Sequence, residues 1–140
     1  MTVTTHSQDE TAAIGRRLAP TLLPGTVLLL IGDLGAGKTA LVRGLAEGLG
    51  VAQEEVSSPT FTLIQEYRDG RVPLIHVDLY RLNDAREIDE LGLEELGLGS
   101  VLVIEWAEKL PRPVPGAIEI RIAHGDGDTR TVAVSPAPNP

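Results

Sequence analysis

The chain alternates short, wholly apolar runs with amphipathic stretches, and the change of period predicts an α/β order of elements. Residues 27–31 (Val-Leu-Leu-Leu-Ile) and 101–104 (Val-Leu-Val-Ile) are unbroken apolar runs of strand length. Such runs suit strands buried on both faces of a parallel sheet. Helical spacing appears twice before residue 50. Ser7-Gln8-Asp9-Glu10 reads as a capping box opening a helix to about Ala19, with Ala12, Ala13, Ile14 and Leu18 toward the core. Leu41, Val42, Leu45 and Leu49 form the apolar face of a second helix over residues 40–49, and Gly48 and Gly50 suit its end.

The remaining segments predict hairpins and one weaker helix. Residues 61–67 alternate as a strand, Asp69-Gly70 carries a hairpin signal, and residues 72–79 return antiparallel. Asn83 or Asp84 can cap a third helix whose face is Ile88, Leu91 and Leu96, weakened by the glycines from Gly92 to Gly99. Residues 106–115 form a Pro-rich loop. Residues 117–123 and 129–134 read as strands around the turn 124–128, and residues 2–8 as a loose end or an edge strand. The expected fold is therefore α/β, a mixed β-sheet flanked by helices, and the G-x-x-x-x-G-K-[ST] motif at residues 32–39 makes it P-loop NTPase-like. It forms a single small domain over residues 1–135, with residues 136–140 as a disordered tail.

Composition narrows the chemistry. None of the 140 residues is Cys, which excludes disulfides, thiolate metal sites and Cys nucleophiles. The first ten residues lack a signal-like apolar run, and no apolar stretch approaches the roughly 20 residues of a membrane span. A cytoplasmic location is the expectation. The net charge of −8 argues against a broad nucleic-acid footprint, which needs clustered Lys and Arg.

The chemistry concentrates between the first apolar run and the second helix. Gly32-Asp33-Leu34-Gly35-Ala36-Gly37-Lys38-Thr39 fits G-x-x-x-x-G-K-[ST] at every fixed position. The glycines let the backbone turn sharply and approach a ligand. Successive N–H groups at a helix N-terminus attract anions. Lys38 can reach the β- and γ-phosphates, and the Thr39 hydroxyl can ligate Mg²⁺. Such a loop needs an acidic residue at the end of a neighbouring apolar strand. Glu105 and Asp78 are the two candidates. Glu105 is preferred for Mg²⁺ because its strand is the more apolar, while Asp78 can order the attacking water or add to the metal shell. No Asn-Lys-x-Asp motif follows, which favours ATP over GTP. Trp106, beside Glu105, is the aromatic residue expected near nucleotide or partner. Arg81 and Arg130 stand out among the arginines. His6, His76 and His124 lack metal spacing and read as structural.

The order of motifs is distinctive. The phosphate loop, Ser58-Pro59-Thr60-Phe61, then His76-Val77-Asp78-Leu79-Tyr80-Arg81, then Ile104-Glu105-Trp106, resembles the bacterial TsaE family over roughly residues 7–134. The resemblance implies a small ATPase needed to make N6-threonylcarbamoyladenosine at position 37 of tRNA. It would act on the TsaD–TsaB complex, the transferase and its partner subunit, and meet tRNA only indirectly. ATP hydrolysis would reset that complex between turnovers. Asp33, Leu34, Gly35, Ala36, Gly37, Lys38, Thr39 and Ala40 would line the ATP phosphates. Thr39 and Glu105 would hold Mg²⁺, Lys38, Asp78 and Glu105 would serve hydrolysis, and Thr60 and Trp106 would lie close by. Glu108 and Arg130 would contact nucleotide, and Gln8 would border the adenine. Two positions depart from the family pattern: Ala40 replaces a hydroxyl residue that could touch the α-phosphate, and Ala107 stands where Pro is common. A small nucleotide-dependent kinase and a nucleotide-sensing module without turnover remain the alternative readings.

Overall fold

The computed structural model describes residues 1–32, 37–51 and 64–136. Seven strands form one sheet: β1 (Thr2–Thr5), β2 (Val27–Gly32), β3 (Ile64–Tyr67), β4 (Leu74–Asp78), β5 (Val101–Glu105), β6 (Ile118–His124) and β7 (Arg130–Pro136). Their order is β1-β7-β6-β2-β5-β4-β3. The four inner strands β6, β2, β5 and β4 run parallel, while β3–β4, β6–β7 and β1–β7 pair antiparallel. The mixed sheet expected from the apolar runs is therefore present, and the N-terminal stretch is an edge strand.

Four α-helices flank the sheet among the described residues: α1 (Gln8–Leu18), α2 (Lys38–Gly48), α3 (Ala85–Glu90) and α4 (Leu93–Leu96). Ser7 caps α1 by accepting the Glu10 N–H at 3.1 Å. Asp9 and Glu10 in the first turn and Arg16 and Arg17 in the last complement the helix dipole. Asp84 caps α3 by accepting the Arg86 N–H at 2.9 Å. Gly92 then takes a left-handed φ of 66°, which splits the expected third helix into two short pieces.

Alternation along the strands sends side chains to opposite faces. Leu28, Leu30, Leu74, Val101, Val103 and Ile120 pack with Ile14, Leu41, Val42 and Leu45 beneath α1 and α2. Leu29, Ile75, Val77, Leu102 and Ile104 pack with Ile88 of α3 and Ala107 on the other side. The helices α1 and α2 touch through glycine. A Cβ on Gly15 would lie 2.3 Å from the Leu41 carbonyl oxygen, and one on Gly44 would lie 1.8 Å from that of Ala12. Neither glycine carried a turn or loop signal in the sequence.

Several boundaries differ from the sequence expectation, the start of α2 and the end of β7 among them. Helix α2 begins at Lys38, two residues before the first residue expected, because Gly37 at φ 104° supplies the N-cap and brings Lys38 and Thr39 into the first turn. Strand β3 is described over Ile64–Tyr67, and residues 61–63 of the expected strand lie outside the described residues. Strand β7 extends to Pro136, the first residue of the expected tail, pairing there with Ile118. The β1 register ends at Ala133, so Pro136 occupies an edge position, where a missing N–H is tolerated. Residues 137–140 lie outside the described residues.

Candidate active site

Strand β2 leads to the phosphate loop and α2 leaves it. The ends of β5 and β4 lie next in the sheet. Leu30 of β2 pairs with Glu105 of β5, and Glu105 pairs in register with Asp78 of β4. In-register residues of parallel strands project to one face, so both acidic side chains stand together. Their face is the one covered by α1 and α2, because Leu74, Val101 and Val103, two and four residues earlier, belong to that core. Both acids are buried, Asp78 at 6% and Glu105 at 4% exposure.

Lys38 is buried as well, 5% exposed, in the first turn of α2. Its Nζ donates to the Gly32 carbonyl at 2.9 Å and lies 4.2 Å from the centre of the Trp106 ring. Trp106 is held at φ 59°, the single non-glycine residue with positive φ among the described residues. A bulky residue in the left-handed region is strained and persists only where its surroundings impose it. Here the indole packs against the Tyr80 ring, with centroids 5.1 Å apart. Lys109 ties the two loops together by donating to the Tyr80 and Leu82 carbonyls at 2.6 and 3.0 Å. Trp106 is thus placed over the phosphate-loop lysine by contacts reaching across from the β4–α3 loop.

The two acids have no Lys or Arg ion-pair partner among the described residues. One oxygen of Asp78 accepts the Tyr80 N–H at 2.9 Å. One oxygen of Glu105 takes the Nε2 of His76, fully buried two residues before Asp78, at 2.5 Å. Buried carboxylates without a cationic partner are costly. A hydroxyl and two carboxylates are hard oxygen donors of the kind Mg²⁺ takes. No cluster of three or more His, Asp or Glu among the described residues could hold a metal alone. The set suits an ion that keeps part of its shell in substrate oxygens, as Mg²⁺ does with phosphates.

The other expected residues are distributed as follows. Thr39 and Ala40 follow Lys38 in α2, with Ala40 buried. Gly37 caps that helix, and a Cβ on it would lie 3.7 Å from the Thr11 methyl of α1. Gln8, the exposed first residue of α1, therefore stands near the phosphate-loop end of α2. Glu108 is exposed in the 3₁₀ turn Ala107–Lys109 after Trp106. Arg130 opens β7 at the same sheet end as Gly32, but its guanidinium donates to the carbonyls of Gly127 and Thr129, which holds it to its own turn. Arg81 is exposed in the β4–α3 loop. Asp33, Leu34, Gly35, Ala36 and Thr60 lie outside the described residues. His76, read from the sequence as structural for want of metal spacing, touches Glu105 in the fold, a contact the sequence reading did not foresee. Its position two residues before Asp78, on the same face, was the available signal.

A cavity of about 580 Å³ lies elsewhere, against the opposite face, between α3, α4 and residues 110–115. Its acids are exposed, and Asp89 is already paired with Arg112 at 2.6 Å. Buried charge gathers instead at the ends of β4 and β5, which is where reactive groups are expected. No helix among the described residues is long and apolar enough to cross a membrane.

The family described as "Threonylcarbamoyl adenosine biosynthesis protein TsaE" matches residues 5–132. A relative in Bacillus subtilis named tRNA threonylcarbamoyladenosine biosynthesis protein TsaE is 43% identical, over 96% of this chain and 85% of its own. Relatives of that name in Nostoc sp. and Streptomyces coelicolor are 43% and 45% identical, over 92% and 83% of this chain and 82% and 80% of theirs. The crystal structure of Bacillus subtilis YdiB superposes with a TM-score of 0.75 at 37% identity, covering 99% of this chain and 86% of that one. With its phosphate loop, its paired strand-end acids and this match over nearly its whole length, the chain belongs to the TsaE family.

Proposed function

We propose that this protein is an ATPase serving the threonylcarbamoylation of tRNA adenosine, acting on the TsaD–TsaB transferase complex to allow repeated turnovers. The observation that carries the ATPase part is the burial of Asp78 and Glu105, side by side at their strand ends, together with a buried phosphate-loop Lys38 whose Nζ lies over Trp106, the residue after Glu105. The relatives' printed names support the tRNA part. The net charge of −8 fits a factor that leaves tRNA contact to its partners.

In this reading the N–H groups opening α2 and the Lys38 ammonium bind the β- and γ-phosphates of ATP and stabilise charge that builds up during transfer. Lys38 exchanges its Gly32 carbonyl for phosphate oxygen, and Trp106 keeps the ammonium within reach. Thr39 and Glu105 would hold Mg²⁺, which supplies neutralisation of the phosphate charge. Asp78, fixed by the Tyr80 N–H, offers its second oxygen to orient a water and accept its proton. The water oxygen then bonds to the γ-phosphorus as the bond to ADP breaks. Closure of the site on a partner would set the rate, so slow hydrolysis alone and faster hydrolysis in the complex are expected.

The test is a multiple-turnover TsaD–TsaB reaction with and without this protein. Product that stops near one turnover without it, and accumulates with it, supports the reading. Equal yields would contradict the tRNA part. Transfer of γ-phosphate to an acceptor other than water would instead favour a kinase.

A further inference from the structure

His76 has no part in the chemistry above, yet it is the one fully buried ionisable side chain among the described residues and it touches Glu105. Its Nε2 lies 2.5 Å from one Glu105 carboxylate oxygen, while its Nδ1 is buried with no hydrogen-bond partner among the described residues. A carboxylate oxygen accepts, so Nε2 is the donor in this contact. The opposite tautomer would set a lone pair against the carboxylate and bury an unpaired N–H, and burying an unsatisfied donor costs about 1–3 kcal/mol. The imidazole is fixed by the sheet itself, since β4 pairs His76 with Val103 on one side and Gln65 on the other.

Glu105, the last residue of β5, has a long side chain and no Lys or Arg among the described residues to hold it. Without a donor below it the carboxylate could rotate among several rotamers. With His76 gripping one oxygen, the other is left for a ligand. We propose that His76 is a positioning residue: it holds the Glu105 carboxylate by one oxygen, so that the other meets the magnesium–nucleotide complex in a single orientation. This rests on the reading of Glu105 as a Mg²⁺ residue. The geometry is the familiar logic of an outer partner orienting an inner ligand, with the usual roles reversed: the imidazole orients and the carboxylate ligates.

Binding can be read without turnover. Trp106 is the single Trp of the chain and lies over Lys38, so its fluorescence reports nucleotide at the site. The full chain would be titrated with a non-hydrolysable ATP analogue over a series of Mg²⁺ concentrations and again in EDTA. Loss of an outer partner typically costs 10- to 100-fold in metal affinity. His76→Leu is therefore expected to raise the Mg²⁺ midpoint about tenfold or more while leaving affinity in EDTA unchanged. His76→Gln, whose amide can still donate to Glu105, should restore most of it. In a Glu105→Gln background, His76→Leu should change the midpoint no further. This second pair keeps the question open to an answer if His76→Leu alone folds poorly.

A wild-type midpoint in His76→Leu would overturn the proposal, as would an equal loss with Glu105 already replaced. If the wild-type protein binds the analogue with no Mg²⁺ response, the assignment of Glu105 fails and His76 falls with it. If the wild type responds and His76→Leu responds equally, only the role of His76 fails.

Discussion

On the α1–α2 side of the sheet a Cβ added to Gly44 would sit 1.8 Å from the Ala12 carbonyl oxygen, whereas on the α3–α4 side one added to Gly97 would meet the Leu102 side chain at 3.3 Å. The first side is two eleven-residue helices in backbone contact. The second is two helices of six and four residues, with a cavity of about 580 Å³ between them and the Pro-rich loop. Charge is divided in the same way. Lys38, Asp78 and Glu105 are buried on or beside the first side, while Asp89, Glu94, Glu95 and Arg112 are exposed on the second. Buried charges without full partners are tolerated only where backbone and rotamers are held tightly. The tight helix pair is the backing that lets the site keep them.

The sharpest way to break this comparison is at the lysine. Lys38→Ala should reduce ATP hydrolysis by about 10²-fold or more, the cost of removing one preorganised charge-stabilising donor. Phosphate release under saturating nucleotide would check it. Asp78→Asn and Glu105→Gln should also lower hydrolysis by about 10²-fold, yet hold or raise the thermal midpoint in Mg²⁺-free buffer, because each removes a buried charge that lacks a Lys or Arg partner. A lowered midpoint would mean the acids are structural.

The glycines separate the two sides by stability alone. Gly44→Ala should cost about 3 kcal/mol or more in denaturant unfolding, since backbone must move to admit the methyl. Gly97→Ala, facing a side chain that can give, should stay within about 1 kcal/mol. The smallest effect is expected at the cavity. Arg112 and Asp89 are more than half exposed, so Arg112→Ala should shift stability by at most about 1 kcal/mol and leave hydrolysis unchanged.

Local signals made much of this legible. The apolar run before Gly32, the glycines and the Lys-Thr pair are contiguous, so strand, loop and helix could be read together. Ser7 and Asp84 cap helices because their side chains answer backbone N–H groups two or three residues on, a relation visible in sequence. Glu105 and Asp78 were legible as ends of apolar runs. Their pairing was not, because strand order is set by packing of distant segments. The contact of His76 with Glu105 was hidden for the same reason: its partner lies 29 residues away on another strand. Gly15 and Gly44 carried no local signal, and the helix crossing explains them. Gly37 shortened the expected loop because a left-handed cap ends it two residues early.

The most direct measurement is phosphate release from ATP by the purified chain, alone and with TsaD–TsaB, with Lys38→Ala as the blank. Release that requires Mg²⁺, rises with the partners and vanishes in Lys38→Ala is the predicted result. Release that persists in Lys38→Ala, or a wild-type protein that never releases phosphate even with its partners, would contradict the assignment of an ATPase site to the ends of β4 and β5.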